Sequence, residues 1–559
     1  MSQAFIDEIK KNLPNIKTKK ELDKLKLELS KKYKLPQNLS NIDILSKIKD
    51  LDFKILLTKP MRTLSGVTPI SIMSKPANCP SQAKCTYCPG GINSVFGNTP
   101  KSYPGNSPGI IRAIRNDYDP YLQVFNRLEH YVLLNQDITK VEFIVMGSTF
   151  LFFDKTYKED FIKFSLKALN DFSDLFIKDN KINFKKFIEF YELPASIKDN
   201  ERVKRIKEKL LKFKLDTTLE KEQLRNETSY ARCVAMCLET RPDYCFEDHI
   251  SEMLNYGTTR VEIGVQTLSD EIHKLIKRGH TNKDSIKSSQ LLKDSFLKLT
   301  YHNMLNLPGS TIANDKFELK EIFDNQVYRP DSIKIYPCLV FKGTELYEQW
   351  KQGKHKVFPI EDIIDIIVES KKYVPKYCRI MRINRDIPTF MSEAGVRKTN
   401  LRQYVEEEQK KRKVKCNCIR CREPKQNIIS WKDVKLQRLN YESSNGQEIF
   451  LSYDDVKNDL LLGFVRLRIP YKPFRKEITS KSAGIRELHV YGQAVKIGSE
   501  SNQIQHKGLG MQLMKKAEEI AKQEYDINKM LVISGIGVKN YYINKLNYKK
   551  DGVYVSKKI

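Results

Sequence analysis

Apolar residues change their spacing along the chain, and the changes mark out elements. Near the start, Phe5, Ile6, Ile9 and Leu13 recur at helical spacing until Pro14 interrupts them. Thr18-Lys-Lys-Glu21 has the form of a capping box. It predicts a second helix with Leu22, Leu25 and Leu29 on one side, closed by Pro36. From about residue 61 to 390, short apolar runs alternate with longer helical stretches. The runs predict strands over Ser65–Met73, Val141–Gly147, Val234–Thr240, Arg260–Gln266, Leu299–Leu305 and Asp331–Pro337. Such alternation predicts a parallel α/β sheet or barrel. In Arg260–Gln266, Glu262, Gly264 and Gln266 share one face, while Val261, Ile263 and Val265 share the other. An apolar outer face suits packing against helices, and a polar inner face suits a site inside a barrel.

Residues 160–228 are rich in Lys, Phe and Ile and hold few turn signals, which predicts a helical insertion. Residues 391–430 form a charged linker in which EEEQKKRKVK ends a helix and runs into CNCIRC. From 431 to 559, strands over Asp459–Leu467 and Ile485–Tyr491 precede a helix at about 508–524. That pattern predicts a separate small α/β domain. The expected division is therefore a helical extension over 1–60, an α/β domain over 61–390, the linker, and the small C-terminal domain.

A length of 559 residues agrees with two to four domains. No run approaches ~18 consecutive apolar residues, so a transmembrane helix and a membrane partner are not expected. The N-terminus carries acids early and has no apolar signal core, so a cytoplasmic location is expected. Lys plus Arg number 98 against 69 Asp plus Glu, a formal charge of +29. That excess favours a polyanion such as nucleic acid, and the basic N-terminal helices would then be an RNA-binding arm. A lysine-biased, solvated surface and a plain helical cap account for the same residues. Eleven cysteines are an odd count, and six of them sit in two tight clusters. Clustering in an unsecreted chain points to metal rather than disulfides.

The first cluster is Cys79, Cys85 and Cys88, followed by Pro89-Gly90-Gly91. Three thiolates on one loop can hold three irons of a [4Fe–4S] cluster and leave the fourth open for a small molecule. A zinc site would want a fourth ligand nearby, and no His or Cys follows within forty residues. The second cluster, Cys416, Cys418 and Cys421, is a C-x-C-x2-C triplet in a linker too short to bury a core. Zinc fits it with a fourth ligand from elsewhere; three reduced thiols are the alternative. In the last domain, Gln505-His506-Lys507-Gly508-Leu509-Gly510 lies between a strand region and a helix. Its glycines permit close backbone approach, and amides at a helix N-terminus can cradle a pyrophosphate.

CTYCPGG, YDPYLQV at 118–124, KVEFIVMGSTF at 140–150, ETRPDYC at 239–245 and RVEIGVQ at 260–266 resemble the radical S-adenosylmethionine (SAM) half of the Elongator catalytic subunit family. That family comprises the tRNA uridine 5-carboxymethyl synthases. Its C-terminal half has the GNAT acetyltransferase fold. Glu487 to Gly492, the Q-x-x-G-x-G segment and Asn540-Tyr541-Tyr542 resemble that half. The resemblance implies a partial TIM-type (β/α) barrel followed by a GNAT-type mixed α/β domain. It implies structural zinc on Cys416, Cys418 and Cys421. It places Gly147, Ser148 and Thr149 against the methionine part of SAM, with Glu239, Glu262 and Gln266 in the same region. The family's acetyl-CoA contacts fall on Lys140, on Glu487, Leu488, His489 and Val490, on Leu509, Gly510, Met511 and Gln512, and on Tyr542. In GNAT folds a late tyrosine can protonate a leaving thiolate, which makes Tyr542, with Tyr541 beside it, the expected acid.

The reaction so implied is SAM-dependent radical carboxymethylation of a wobble uridine, with acetyl-CoA as the carbon source. The resemblance also brings tRNA and other Elongator subunits as partners, and leaves room for a homodimer. Two further readings of the residues stay open. One is a lysine acetyltransferase with a structural iron–sulfur cluster; the other is a non-catalytic tRNA-binding scaffold.

Overall fold

Seven parallel strands form the first sheet, and they lie side by side in the order in which they occur in the chain. They are β1 (Thr68–Met73), β2 (Lys140–Met146), β3 (Arg232–Thr240), β4 (Arg260–Gln266), β5 (Lys298–Leu305), β6 (Ser332–Pro337) and β7 (Arg379–Ile383). The computed structural model describes residues 3–35, 41–45, 56, 66–147, 149–195, 199–385, 387–425, 427–491 and 508–559. The six expected strands appear within a few residues of their predicted bounds, and β7 is an addition. Alternation explains which way each strand faces. In β2, Val141, Phe143 and Val145 are buried among the surrounding helices. Lys140, Glu142, Ile144 and Met146 are half-buried on the lumen side. The sheet curls into the partial barrel of radical SAM folds.

The connection between β2 and β3 carries the segment around 160–228. Its helices are Lys155–Phe176, Phe184–Phe190, Asn200–Leu211 and Leu219–Asn226. The first is capped by Asp154, whose carboxylate accepts from the Tyr157 amide at 2.8 Å. Its buried Phe172 and Phe176 join Phe187 and Tyr191 in one aromatic cluster. This is an enlarged crossover helix rather than an appended body, because the same helix also covers the barrel.

At the N-terminus, helices Gln3–Asn12 and Lys19–Lys32 close over Phe5, Ile9, Leu22 and Leu29. The Thr18/Glu21 capping box is present in both directions, with each bond at 3.2 Å. Pro36 lies outside the described residues. No helix among the described residues is long and apolar enough to cross a membrane.

The C-terminal sheet holds β8 (Val434–Ser443), β9 (Gly446–Asp455), β10 (Leu460–Ile469), β11 (Ser482–Val490), β12 (Lys529–Val532), β13 (Lys549–Asp551) and β14 (Tyr554–Lys558), with β14 between β12 and β13. It docks on the amino ends of the barrel strands through buried charge. Asp331, just before β6, accepts from Arg486 at 2.8 Å and lies 3.5 Å from Arg466. Asp294 accepts twice from Arg468, at 2.8 and 2.6 Å. Lys298, opening β5, pairs with Glu487. Tyr377 and Tyr441 stack across the boundary at 3.9 Å. At Gly535 a side chain would begin 2.0 Å from the Val234 carbonyl oxygen, so only glycine lets that loop lie on β3.

Burial alone would raise the Asp331 carboxyl; Arg486, Arg466 and Lys293 outweigh it and hold it below the ordinary range. Asp331→Ala removes the carboxylate between two buried arginines and leaves Arg466 to Glu487 and Arg486 to Glu448. We expect a loss of ~3–5 kcal/mol, read as a fall in the urea midpoint of the full chain. The stability owed to this carboxylate is complete above the unfolded value of ~3.9 and is lost as pH falls through the lower folded value. A wild-type midpoint in Asp331→Ala would show that the pair is not what holds the domains.

Candidate functional site

At the carboxyl ends of the barrel strands lies a cavity of about 1260 Å³. Open α/β folds place their ligands at this end. Cys79, Cys85 and Cys88 form part of its wall and are half-exposed, whereas Cys233, Cys237, Cys245, Cys338 and Cys378 are buried. Each of the three sulfurs has a polar neighbour. The Ser102 amide donates to Cys88 Sγ at 3.2 Å. Arg278 Nη1 donates to Cys85 Sγ at 3.5 Å, and the Thr149 hydroxyl lies 3.7 Å from Cys79 Sγ. Donors of this kind favour thiolate and suit sulfurs that ligate iron. The donor set therefore fits a cluster held by three cysteines.

Deeper in the lumen, three adjacent strands bring Glu262, His302 and Lys334 together. Lys334 Nζ pairs with Glu262 and lies 3.6 Å from Glu239. His302 Nε2 meets Glu262 Oε2 at 2.6 Å. Burial works against the Glu262 carboxylate, but Lys334 and Arg260 outweigh it and hold it well below the ordinary range. Burial, then the Lys334 charge, push the His302 imidazole down, so it is neutral near pH 7. Donor atoms of Glu239, Glu262 and His302 lie within 4.8 Å of one another. The Lys334 ammonium already supplies the positive charge there, so a metal ion would have to displace it.

The expected SAM-region residues converge on this cavity. Thr149, Glu239, Glu262 and Gln266 all line it. Gly147 follows β2, and its carbonyl accepts from Ser74 Oγ at 2.9 Å. Ser148 lies outside the described residues. Gln266 has φ +72°, an uncommon left-handed backbone where the β4–β5 register slips. Arg241 pairs with Asp243 and donates to the Arg278 carbonyl, the structural role a strand-end arginine usually has. Sequence reasoning missed Arg278, His302 and Lys334. The last two were within reach, because the alternation used for β4 puts His302 and Lys334 on the lumen faces of β5 and β6.

Cys416, Cys418 and Cys421 bring their sulfurs within 4.8 Å of one another. Hydrogen bonds from Cys416 and Cys421 push the Cys418 thiol far down, while bonding to Cys418 pushes Cys416 up. This sulfur cage fits a single ion. No fourth Cys, His or carboxylate joins it among the described residues.

In the C-terminal domain, β11 and β12 are parallel and pair only over Ser482–Ile485 and Lys529–Val532. β12 ends at Val532 while β11 runs on to Val490, which leaves a wedge beside β11 where helix Leu509–Tyr525 begins. A side chain at Gly510 would begin 3.5 Å from the Tyr541 hydroxyl, 3.6 Å from Val490 and 3.9 Å from Leu488. Glu487 and His489 point the other way, towards the barrel. Glu487 is tied to Lys298 and to Arg466, at 2.8 Å from the latter. His489 stacks between Phe464 and Tyr491, and burial lowers it to about 4. Leu509 is buried against Leu462, Met511 is exposed, and Gln512 accepts from Tyr453 at 2.8 Å. Gln505 lies outside the described residues. Lys140 lies on the barrel side of the boundary, paired in register with Arg232. Tyr542 faces the domain core, whereas the Tyr541 hydroxyl is the one beside Gly510. Neighbours on a helix point about 100° apart, so one of the pair reaches the wedge.

The curled parallel sheet, the three-cysteine loop and the cavity above it define a radical SAM enzyme. The Radical SAM superfamily profile matches residues 77–317, and the Radical_SAM C-terminal domain profile matches residues 330–411. The tRNA uridine(34) acetyltransferase of Methanocaldococcus infernus is 43% identical over 100% of this chain and 99% of its own. Elongator complex protein 3 of Saccharomyces cerevisiae is 38% identical over 96% and 92%. A solved structure of Methanocaldococcus infernus Elp3 with N-terminus deletion (1-46) superposes with a TM-score of 0.71 at 41% identity, covering 89% of this chain and 100% of that one. The chain belongs to the family of tRNA uridine(34) acetyltransferases and Elongator complex protein 3. Membership in the radical SAM superfamily implies a [4Fe–4S] cluster and SAM as cofactors.

Arg278 ties the cysteine loop to β4 by donating to the Gly264 carbonyl at 2.8 Å as well as to Cys85. A Cβ at Gly264 would lie 2.5 Å from Arg278 Nη2. Gly264→Ala should therefore dislodge Arg278, cost ~1–3 kcal/mol of stability, and lower the iron retained per chain after anaerobic reconstitution. Wild-type iron content would show that the loop holds without Arg278.

Proposed function

We propose that this chain forms 5-carboxymethyluridine at the wobble uridine of tRNA, using acetyl-CoA and SAM. The observation that carries the reading is one chain that presents a three-cysteine cavity and, in its second domain, a wedge where β11 outruns β12. When bound, a cluster with one open iron supplies the electron that starts SAM cleavage. Cys79, Cys85 and Cys88 would hold it, with the Ser102 amide and Arg278 stabilising sulfur charge. Thr149, Glu239 and Gln266 would orient SAM beside it, with Gly147 at the turn after β2.

Leu488, Val490 and the Leu509–Gln512 turn would cradle acetyl-CoA in the wedge, with Lys140 reaching from the barrel. Side chains of residues 487–490 alternate, so that segment offers a ligand its backbone and one face only. Tyr541, whose hydroxyl lies beside Gly510, would return a proton to a departing thiolate; burial raises its phenol, which keeps that proton on near neutral pH. Cys416, Cys418 and Cys421 would hold zinc as a staple between the domains. The charge of +29 and the basic N-terminal helices would bind tRNA phosphates.

The test is nucleoside mass spectrometry on unmodified tRNA incubated anaerobically with reconstituted protein, reductant, SAM and acetyl-CoA. We expect 5-carboxymethyluridine that requires both cofactors, and none with Cys88→Ala. Peptide acetylation without SAM use would favour a protein acetyltransferase. tRNA binding with no 5′-deoxyadenosine from a cluster-loaded chain would favour a scaffold.

The zinc staple has its own test. Removing metal from the second triplet with a chelator should lower the melting temperature by about 5 °C or more, and zinc should restore it. An unchanged melting curve would leave three reduced thiols as the better reading.

A further inference from the structure

The lumen cluster that Glu262 organises has the hydrogen-bonding polarity to read one nucleobase. Glu262 is held ionised, so the His302 nitrogen bonded to it, Nε2, carries the imidazole proton. The other nitrogen, Nδ1, then bears a lone pair, and His302 lines the cavity. Nδ1 makes no hydrogen bond among the described residues. Lys334, on the adjacent strand, also lines the cavity and can only donate. Its ammonium has three N–H bonds, pairs with Glu262 and lies 3.6 Å from Glu239. The cavity floor therefore presents an acceptor beside a charged donor, both fixed by one buried carboxylate.

A uracil edge has the complementary order, an N3–H donor flanked by two carbonyl acceptors. Cytosine reverses half of it, with a bare N3 and an exocyclic amino group. We propose that His302 Nδ1 and Lys334 Nζ form the base-reading site of the cavity, with Nδ1 accepting the uracil N3–H and Lys334 donating to a flanking carbonyl. A base turned out of its stack is read along this edge. The site rejects cytosine because two lone pairs would meet at Nδ1. Fixing the tautomer of His302 is then a second duty of Glu262, beside neutralising Lys334.

This inference rests on uridine being the substrate. The test offers the reconstituted full chain two anticodon stem–loops together, one with uridine and one with 3-methyluridine at the wobble position. The products are counted by mass spectrometry. Wild type should prefer uridine by roughly tenfold to a hundredfold, the discrimination one good base contact supplies. His302→Ala should narrow the preference to within about threefold. His302→Asn, which keeps an acceptor oxygen near the Nδ1 position, should restore most of it. Any variant that does not turn over is read by competition binding of the same two loops, against the same ratios. Uridine modified with an undiminished preference in His302→Ala overturns the base-reading site alone. No modification of either loop by wild type removes the functional reading and this inference with it.

Discussion

Asp331 has no exposed surface and lies against two arginines from the other domain. A carboxylate in that position is tolerable only if every partner stays in place, because an isolated buried charge costs several kcal/mol. Asp331 also accepts from the Leu299 amide at 2.8 Å, which fixes the start of β5. The same residue thus sets the docking of the C-terminal sheet and the placement of the strand that carries His302. Replacing such a cluster by apolar residues would often be neutral in stability. Its directional bonds do what apolar packing would not, since they admit one orientation of the two sheets.

From this boundary, charge continues up the barrel interior. Glu487 meets Lys298, and Arg260, beside Lys298 in register, pairs with Glu142 at 2.8 Å. Arg260 lies 3.5 Å from Glu262, which holds Lys334 and His302. Tyr103 then donates to Glu239 at 3.2 Å at the cavity. Barrels of this type are ordinarily filled by branched apolar layers. Here the lumen is a column of buried charges, in which the carboxylates of Glu487, Glu142 and Glu262 compensate the burial of Lys298, Arg260 and Lys334. Lys334 stays charged although burial lowers it, because Glu262 more than offsets the penalty.

The positions of six barrel strands and the facing of β4 were legible in the sequence because they rest on local period. Val261, Ile263 and Val265 announce the outer face of β4 by alternation alone, and the three-cysteine loop announces iron by spacing. The capping box at Thr18 was legible for the same reason, since its partners are three residues apart. The pairing of Asp331 with Arg486 was not, because 155 residues separate them and any exposed carboxylate would look the same. Strand β7 was missed because Arg379 and Arg382 break its apolar pattern within five residues. Tyr541 and Tyr542 were legible as a pair, but their order of importance was not. Which of them faces the wedge depends on how the short helix Lys539–Leu546 is rolled against the sheet.

The two sites stand at opposite ends of the same strands, and that constrains any account of how they act together. At about 3.3 Å per residue, Lys298 and His302 are roughly 13 Å apart along β5. Between them runs buried charge rather than apolar side chains. Buried charges interact strongly over such distances because little water screens them. A change of charge at Glu487 is therefore felt by Arg260, and through it by Glu262, without any backbone movement. The column makes the ionisation of the cavity floor and of the domain boundary properties of one electrostatic system.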